Sequence, residues 1–179
     1  GRFENNAAVT KEVTLMMDPS ADPFAAPAPD ADTPVERFGA KDANDLSWAN
    51  LLNAYTCTEC GRCTSECPAN LTGKKLSPRK IMMDTRDRIE EIGINIAANG
   101  SFVDDGKSLL GDYITNEELW ACTSCNACVQ ACPVDIDPLN IIMKLRNFAT
   151  MEESSAPGAL NAMMTNVENN GAPWPFNQM

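Results

Sequence analysis

Eight cysteines in two short runs hold the chemistry of this sequence. The first run reads C-T-E-C-G-R-C-T-S-E-C-P and places Cys57, Cys60, Cys63 and Cys67 ahead of Pro68. The second reads C-T-S-C-N-A-C-V-Q-A-C-P and places Cys122, Cys125, Cys128 and Cys132 ahead of Pro133. No cysteine lies outside these runs, and the chain has no histidine. C-x2-C-x2-C-x3-C-P is the ligand spacing of a bacterial-type [4Fe–4S] cluster. Its x2 intervals let one turning loop aim three thiolates at three irons of a cube, and soft sulfur ligands suit that chemistry. The pattern predicts two [4Fe–4S] clusters and the transfer of single electrons.

A short loop does not wrap comfortably round to the fourth iron. In two-cluster ferredoxins the fourth cysteine of each run ligates the other cluster. On that rule the first cluster takes Cys57, Cys60, Cys63 and Cys132. The second takes Cys122, Cys125, Cys128 and Cys67, so iron staples the two halves together. Proline after each fourth cysteine fixes φ and turns the chain away. Other uses of cysteine fit less well. A structural zinc needs four ligands, usually two separated pairs, which leaves the x3-C-P extension without a role. An even count also fits a disulfide framework, but x2-spaced triplets make poor bridges and the first residues do not read as a secretory signal. A three-iron site would have one cysteine replaced, and neither run does.

The elements that must position these cysteines read as helices. The chain has 179 residues, enough for one domain with tails or two small ones. Asp45 is placed to cap a short helix, L-S-W-A-N-L-L-N-A-Y, whose Leu46, Trp48, Leu51, Leu52 and Tyr55 give an apolar face. Ser77-Pro78 opens a long helix that runs to the Asn99-Gly100 stop signal, with Met82, Ile89, Ile92 and Ile96 at helical spacing. Residues 100–115 read as a loop with room for one hairpin. Thr115 and Glu118 form a capping box ahead of Trp120 and Cys122. Asp137-Pro138 opens a helix with Leu139, Ile142, Leu145 and Phe148 on one face, and a further helix covers A-L-N-A-M-M-T-N-V-E before Gly171. The layout is an internal duplication, helix–cluster–helix twice. Trp48 and Trp120 are expected to shield the clusters from water, and Gly61 and its counterpart Asn126 to adopt positive φ.

The flanks differ. Residues 11–18 read as a short strand or extended segment, and 18–34 are rich in Pro, Ala and Asp, a composition for an extended linker or arm with Phe24 and Phe38 as anchors. The expected division is an irregular arm over 1–45, a dicluster domain over 46–155, and a C-terminal helix with an irregular tail over 156–179. A net charge of −11 argues against nucleic acid or an anionic membrane surface as the main partner. Lys74, Lys75, Arg79 and Lys80 make one basic patch, read as a solvated face or as a docking site for an acidic carrier. No apolar stretch approaches the roughly 20 residues of a membrane span.

Two such cysteine runs embedded in helices resemble the α-helical ferredoxin domain. That domain occurs in an iron–sulfur subunit of heterodisulfide reductase and in those of glycolate oxidase and anaerobic glycerol-3-phosphate dehydrogenase. The stretch from Leu46 to Glu153, with L-W-A-C-T-S-C-N-A-C-V-Q-A-C-P-V-D-I-D-P, looks closest to the heterodisulfide-reductase-related group. S-P-R-K-I-M-M-D-T-R-D-R and N-N-G-A-P-W resemble bacterial membrane-anchored Fe–S oxidoreductases of that group. The resemblance implies a mainly α fold with two [4Fe–4S] clusters and an electron relay inside a larger oxidoreductase or respiratory complex. It implies redox subunits, or missing domains of the same polypeptide, as partners. Membrane association would come only through those, with the module in the cytoplasm at the membrane face. Adjacent Cys-Cys pairs, which mark the catalytic partners of the group, are absent, as is the plant-type C-x4-C-x2-C run. A chain that opens at Gly1 and stops soon after Pro175 is expected to be part of a longer polypeptide. The alternative is a fragment of a heterodisulfide-reductase-like, hydroxy-acid or quinone oxidoreductase whose catalytic site lies elsewhere. With no histidine, flavin fingerprint or nucleophile arrangement, no catalytic residue is assigned here.

Overall fold

Two long helices carry the core, and each follows one of the cysteine runs. The computed structural model describes residues 7–20 and 37–176. Its helices are α1 (Ala7–Met17), α2 (Trp48–Thr56), α3 (Arg62–Ser65), α4 (Pro68–Leu71), α5 (Pro78–Asn99), α6 (Asn116–Ala121), α7 (Ala127–Gln130), α8 (Pro138–Met151) and α9 (Gly158–Asn170). No named strand occurs among the described residues, and the fold is mainly α. None of the described helices is long and apolar enough to cross a membrane.

The helix boundaries follow the punctuation in the sequence. Ser77 accepts from the Lys80 N–H and caps α5, Pro78 fills its first position, and Gly100 closes it in the left-handed conformation. Thr115 and Glu118 form the expected capping box on α6. Asp137 accepts from the Asn140 N–H at the start of α8, and Gly171 ends α9.

Three local readings are corrected. Residues 11–17 lie in α1 rather than in a strand: Ala, Lys, Glu, Leu and Met favour helix enough to override the β-branched Val and Thr. Helix α2 starts after Ser47, not Asp45, because the Asp45 carboxylate is taken by the N–H groups of Lys41 and Asp42 and by Arg37. Residues 109–113 form a tight irregular turn with Gly111 at φ 106°, and Leu110 and Ile114 make only an isolated bridge instead of a hairpin. Residues 21–34, with Phe24, fall outside the described segments. Phe38 lies inside them, its backbone N–H donating to Glu152 Oε1 at 3.0 Å.

Helix α5 packs on α2 and α8, and α6 packs on α8. Leu139, Ile142, Leu145 and Phe148 of α8 are all buried, joined by Ile141 and Ala149. Burying a side chain of that size is worth roughly 1.5–3 kcal/mol, so this helix anchors the domain. The backbone before α2 crosses α8 closely, with Ala40 N–H donating to Lys144 O at 3.0 Å. A methyl on Gly39 would fall 2.6 Å from Lys144 O and 2.7 Å from Phe148 Cα, both backbone atoms. Gly39→Ala is therefore expected to destabilise by about 1–3 kcal/mol or more. By contrast Gly93→Ala, in open space on α5, is expected to stabilise by roughly 0.5–1 kcal/mol. Thermal unfolding of the two variants checks both signs.

Candidate metal centres

Each run is built by the same backbone path. Cys57 ends α2 and Cys122 ends α6. Two residues on, Glu59 (φ 58°) and Ser124 (φ 56°) turn left-handed; two further on, so do Gly61 (φ 81°) and Asn126 (φ 62°). The paired reversals curl each loop around its cysteines, and the one-turn helices α3 and α7 then carry Cys63 and Cys128. Positive φ at Gly61 and Asn126 is readable from residue type. At Glu59 and Ser124 it is not, since neither residue is specialised for that region and tertiary closure imposes it. The copies diverge afterwards: Pro68 opens α4, whereas Pro133 enters a turn with Asp135 at φ 56°.

Helices α3 and α7 pack against each other, which interleaves the runs. Two cysteine-lined spaces result. The first, about 390 Å³ including its open mouth, is lined by Cys57, Cys60, Cys63 and Cys132, with Cys128 at its wall. The second, about 310 Å³, is lined by Cys67, Cys122, Cys125 and Cys128. Met82, Val134 and Ile136 complete the first, while Leu76, Leu139 and Ile142 complete the second. Each fourth cysteine thus stands in the space of the opposite run.

These donors fit a cube. Each space is lined by at least four soft thiolates, the donor set that a [4Fe–4S] cluster takes. Backbone donors are also in place: Ser124 N–H lies 3.4 Å from Cys122 Sγ, and Ile136 N–H 3.3 Å from Cys132 Sγ. Such hydrogen bonds to sulfur tune cluster potential. Burial pushes the Cys63 and Cys122 thiols up, and it pushes Cys128 up to about 12, helped by Cys122, Asp137 and Cys63. The N–H of Ala127 lowers the more exposed Cys125. Metal binding must therefore displace protons from the inner thiols.

The surroundings are less symmetric than the runs. Trp48 is 76% exposed and Leu52 and Tyr55 are also exposed, so α2 turns Asn50 and Ala54 inward instead. Trp48 shields nothing. Trp120 is half-buried, with the Arg146 guanidinium 4.9 Å from its ring centre. Nothing in the cysteine pattern singles out Arg146. Its register, one helical step past Leu139 and Ile142, is the available sign that it points inward. Glu59, beside Cys60, pairs with Arg86. Two of the four cations of the basic patch are paired: Lys75 with Glu117 at 2.7 Å, and Lys80 with Asp84 at 2.6 Å and Glu118 at 2.9 Å. Arg79 instead borders the first cysteine space.

Comparison with known proteins agrees with this chemistry. A family model described as a 4Fe-4S dicluster domain matches residues 56–136. The chain is 33% identical to the probable iron-sulfur-binding oxidoreductase FadF of Bacillus subtilis, across 82% of this chain and 25% of that protein. It is 32% identical to EtfAB:quinone oxidoreductase of Syntrophomonas wolfei, across 78% and 22%. It is 34% identical to one subunit of the ferredoxin/F420H2-dependent CoB-CoM heterodisulfide reductase of Methanosarcina acetivorans, across 61% and 54%. The chain spans about a quarter or less of the first two relatives and about half of the third.

Proposed function

From the membership of residues 56–136 in the 4Fe-4S dicluster domain family, we propose that this chain relays single electrons through two [4Fe–4S] clusters within a larger oxidoreductase. Bound in its thiolate cage, a [4Fe–4S] cluster gains and loses one electron. The protein holds the cages side by side, limits water and supplies N–H groups to the sulfurs. The ligand sets we assign are Cys57, Cys60, Cys63 and Cys132 for one cluster, and Cys122, Cys125, Cys128 and Cys67 for the other. The observation that carries the reading is the interleaving itself: each space is lined by three cysteines of one run and the fourth of the other, with Cys128 bordering both.

Side-by-side centres suit a relay, and each has one exposed cysteine, Cys60 in one run and Cys125 in the other, through which a partner can approach. Redox proteins of the same complex, or further domains of the same polypeptide, serve as donor and acceptor. Similarity to a probable membrane-anchored ferredoxin of Chromohalobacter salexigens and to the quinone oxidoreductase supports a place at a membrane, reached through those partners, and we assign the module to its cytoplasmic face. The dicluster domain occupies 46–155 with a C-terminal helix and tail after it (156–179), and the end of the segment before it, from Gly39 to Asp42, packs onto α5 and α8.

The test is an EPR-monitored redox titration of the reconstituted chain together with iron analysis. About eight irons per chain and two reducible, magnetically interacting centres are expected. Clusters that load but resist reduction would assign them a purely structural role.

A further inference from the structure

The charge around the two cages is unequal, and one residue accounts for most of the inequality. Arg146 of α8 is half-buried. Its guanidinium donates to Leu119 O from Nε at 3.1 Å and from Nη2 at 2.7 Å, and to Cys122 O from Nη2 at 2.6 Å. Nη1 donates to Ser124 Oγ at 3.3 Å. Every acceptor is neutral, so the positive charge is fixed beside the second run without a carboxylate to cancel it. Trp120 covers one face of the guanidinium. The first run has the matching cation, Arg86, eight residues past Pro78 as Arg146 is past Pro138, but there it meets a carboxylate. Position 59, the counterpart of Ser124, is a glutamate paired with Arg86, which leaves little net charge. Arg79 lies at the wall of the first space but is exposed, where water and salt screen it. Asp137, at the start of α8, acts on Cys128, which lines both spaces, and so opposes Arg146 in part.

Net charge and solvent exposure set Fe–S potentials, and a cation held in a low-dielectric site favours the state with the extra electron. We propose that Arg146 is a positioning residue for electrons. Its fixed charge raises the potential of the cluster caged by Cys122, Cys125, Cys128 and Cys67 above that of its neighbour. A single electron supplied by a donor protein, or by dithionite in a titration, then rests on the second cluster, and transfer runs downhill from the first cage to the second. This rests on the two-cluster reading. The wild-type chain separates the two ideas, because failure to load two reducible clusters defeats that reading before Arg146 is touched.

The experiment is an EPR redox titration of the full reconstituted chain with Arg146→Gln and Arg146→Lys. Cys125→Ser identifies which signal belongs to the second run. Arg146→Gln is expected to shift the second-run cluster to lower potential, to leave the first nearly unmoved and to narrow or reverse their order. Arg146→Lys, which keeps the charge, is expected to stay near the wild-type potential. An Arg146→Gln variant with both potentials unmoved, or both moved alike, overturns the proposal. So does a Lys variant indistinguishable from Gln. Should Arg146→Gln fail to load, Ser124→Asp against Ser124→Asn takes its place. A carboxylate at that left-handed position, where Asp and Asn are both tolerated, would meet the guanidinium and cancel its charge in place. A second-run potential no lower in Ser124→Asp than in Ser124→Asn is the overturning result.

Discussion

Replacing Cys67 with serine is expected to damage the cluster formed around Cys122, Cys125 and Cys128 while the one formed around Cys57, Cys60 and Cys63 survives. Iron should fall by up to about four atoms per chain, and the second-run EPR signal should vanish or change shape. The reason is geometric. Cys67 follows α3 by only two residues, yet it lines the second cysteine space and is 5% exposed. A serine hydroxyl is a harder and poorer ligand for iron than a thiolate, and so deep a position gives water little access to take over. Cys132→Ser should do the reverse, damaging the first-run cluster. Loss confined to the mutated residue's own run, in both variants, would replace crossed ligation with simple in-run cages. The reciprocal pair of variants also separates a ligand effect from general unfolding, which would remove both clusters together.

Arg88→Ala is expected to be the costliest change away from iron, at about 3 kcal/mol or more, since it strips the cation from a buried ion-pair network. Arg88 is 0% exposed. It grips Asp42 at 2.7 Å and Asp105 at 2.6 Å, and donates to Lys107 O at 2.9 Å. Asp42 in turn accepts from the N–H groups of Ala43 and Leu109. One side chain therefore ties α5 to the segment before α2 and to the loop at 105–109. The network carries a pH signature. The Arg88 guanidinium holds the Asp105 carboxyl down at about 2. A folded-state value below the unfolded one means stability that is fully present above about pH 4 and is lost as pH falls toward 2. The stability advantage of wild type over Asp105→Asn should shrink across that window. Denaturant unfolding at stepped pH measures it; a constant difference would remove Asp105 from the network's energetics.

Much of the domain can be read from residue order because its signals are local. Caps such as Ser77, Thr115 and Asp137 and stops such as Gly100 and Gly171 act on the backbone within one turn, and all five sit at helix ends in the structure. The stripe on α8 is legible for the same reason, as periodicity survives whatever the partner. Trp48 departs from expectation because an apolar residue at helical spacing shows that a face exists but not which way it points. Here Asn50 and Ala54 pack beneath α2 with Leu46 and Leu51, which leaves Trp48, Leu52 and Tyr55 outward. The Asp45 cap fails where a nearby cation and two N–H groups claim the carboxylate first.

The cofactor chemistry is legible in residue order alone, since thiolate identity and the x2, x2, x3 spacing constrain which metal centre a loop can wrap, and those are covalent facts of the chain. The duplication and most of the helices are legible for the same kind of reason. It took the folded chain to put Cys132 in the space of the first run and Cys67 in that of the second, because that depends on α3 meeting α7 across a long stretch of intervening chain. The tertiary structure also decided that the two cages are electrically unlike. Arg146 lies far along the chain from Cys67 and well beyond Cys122, and its charge reaches the second run only because α8 folds back over α6 and buries the guanidinium against carbonyl groups. Electrostatic influence depends on distance and burial, and neither is written in residue order.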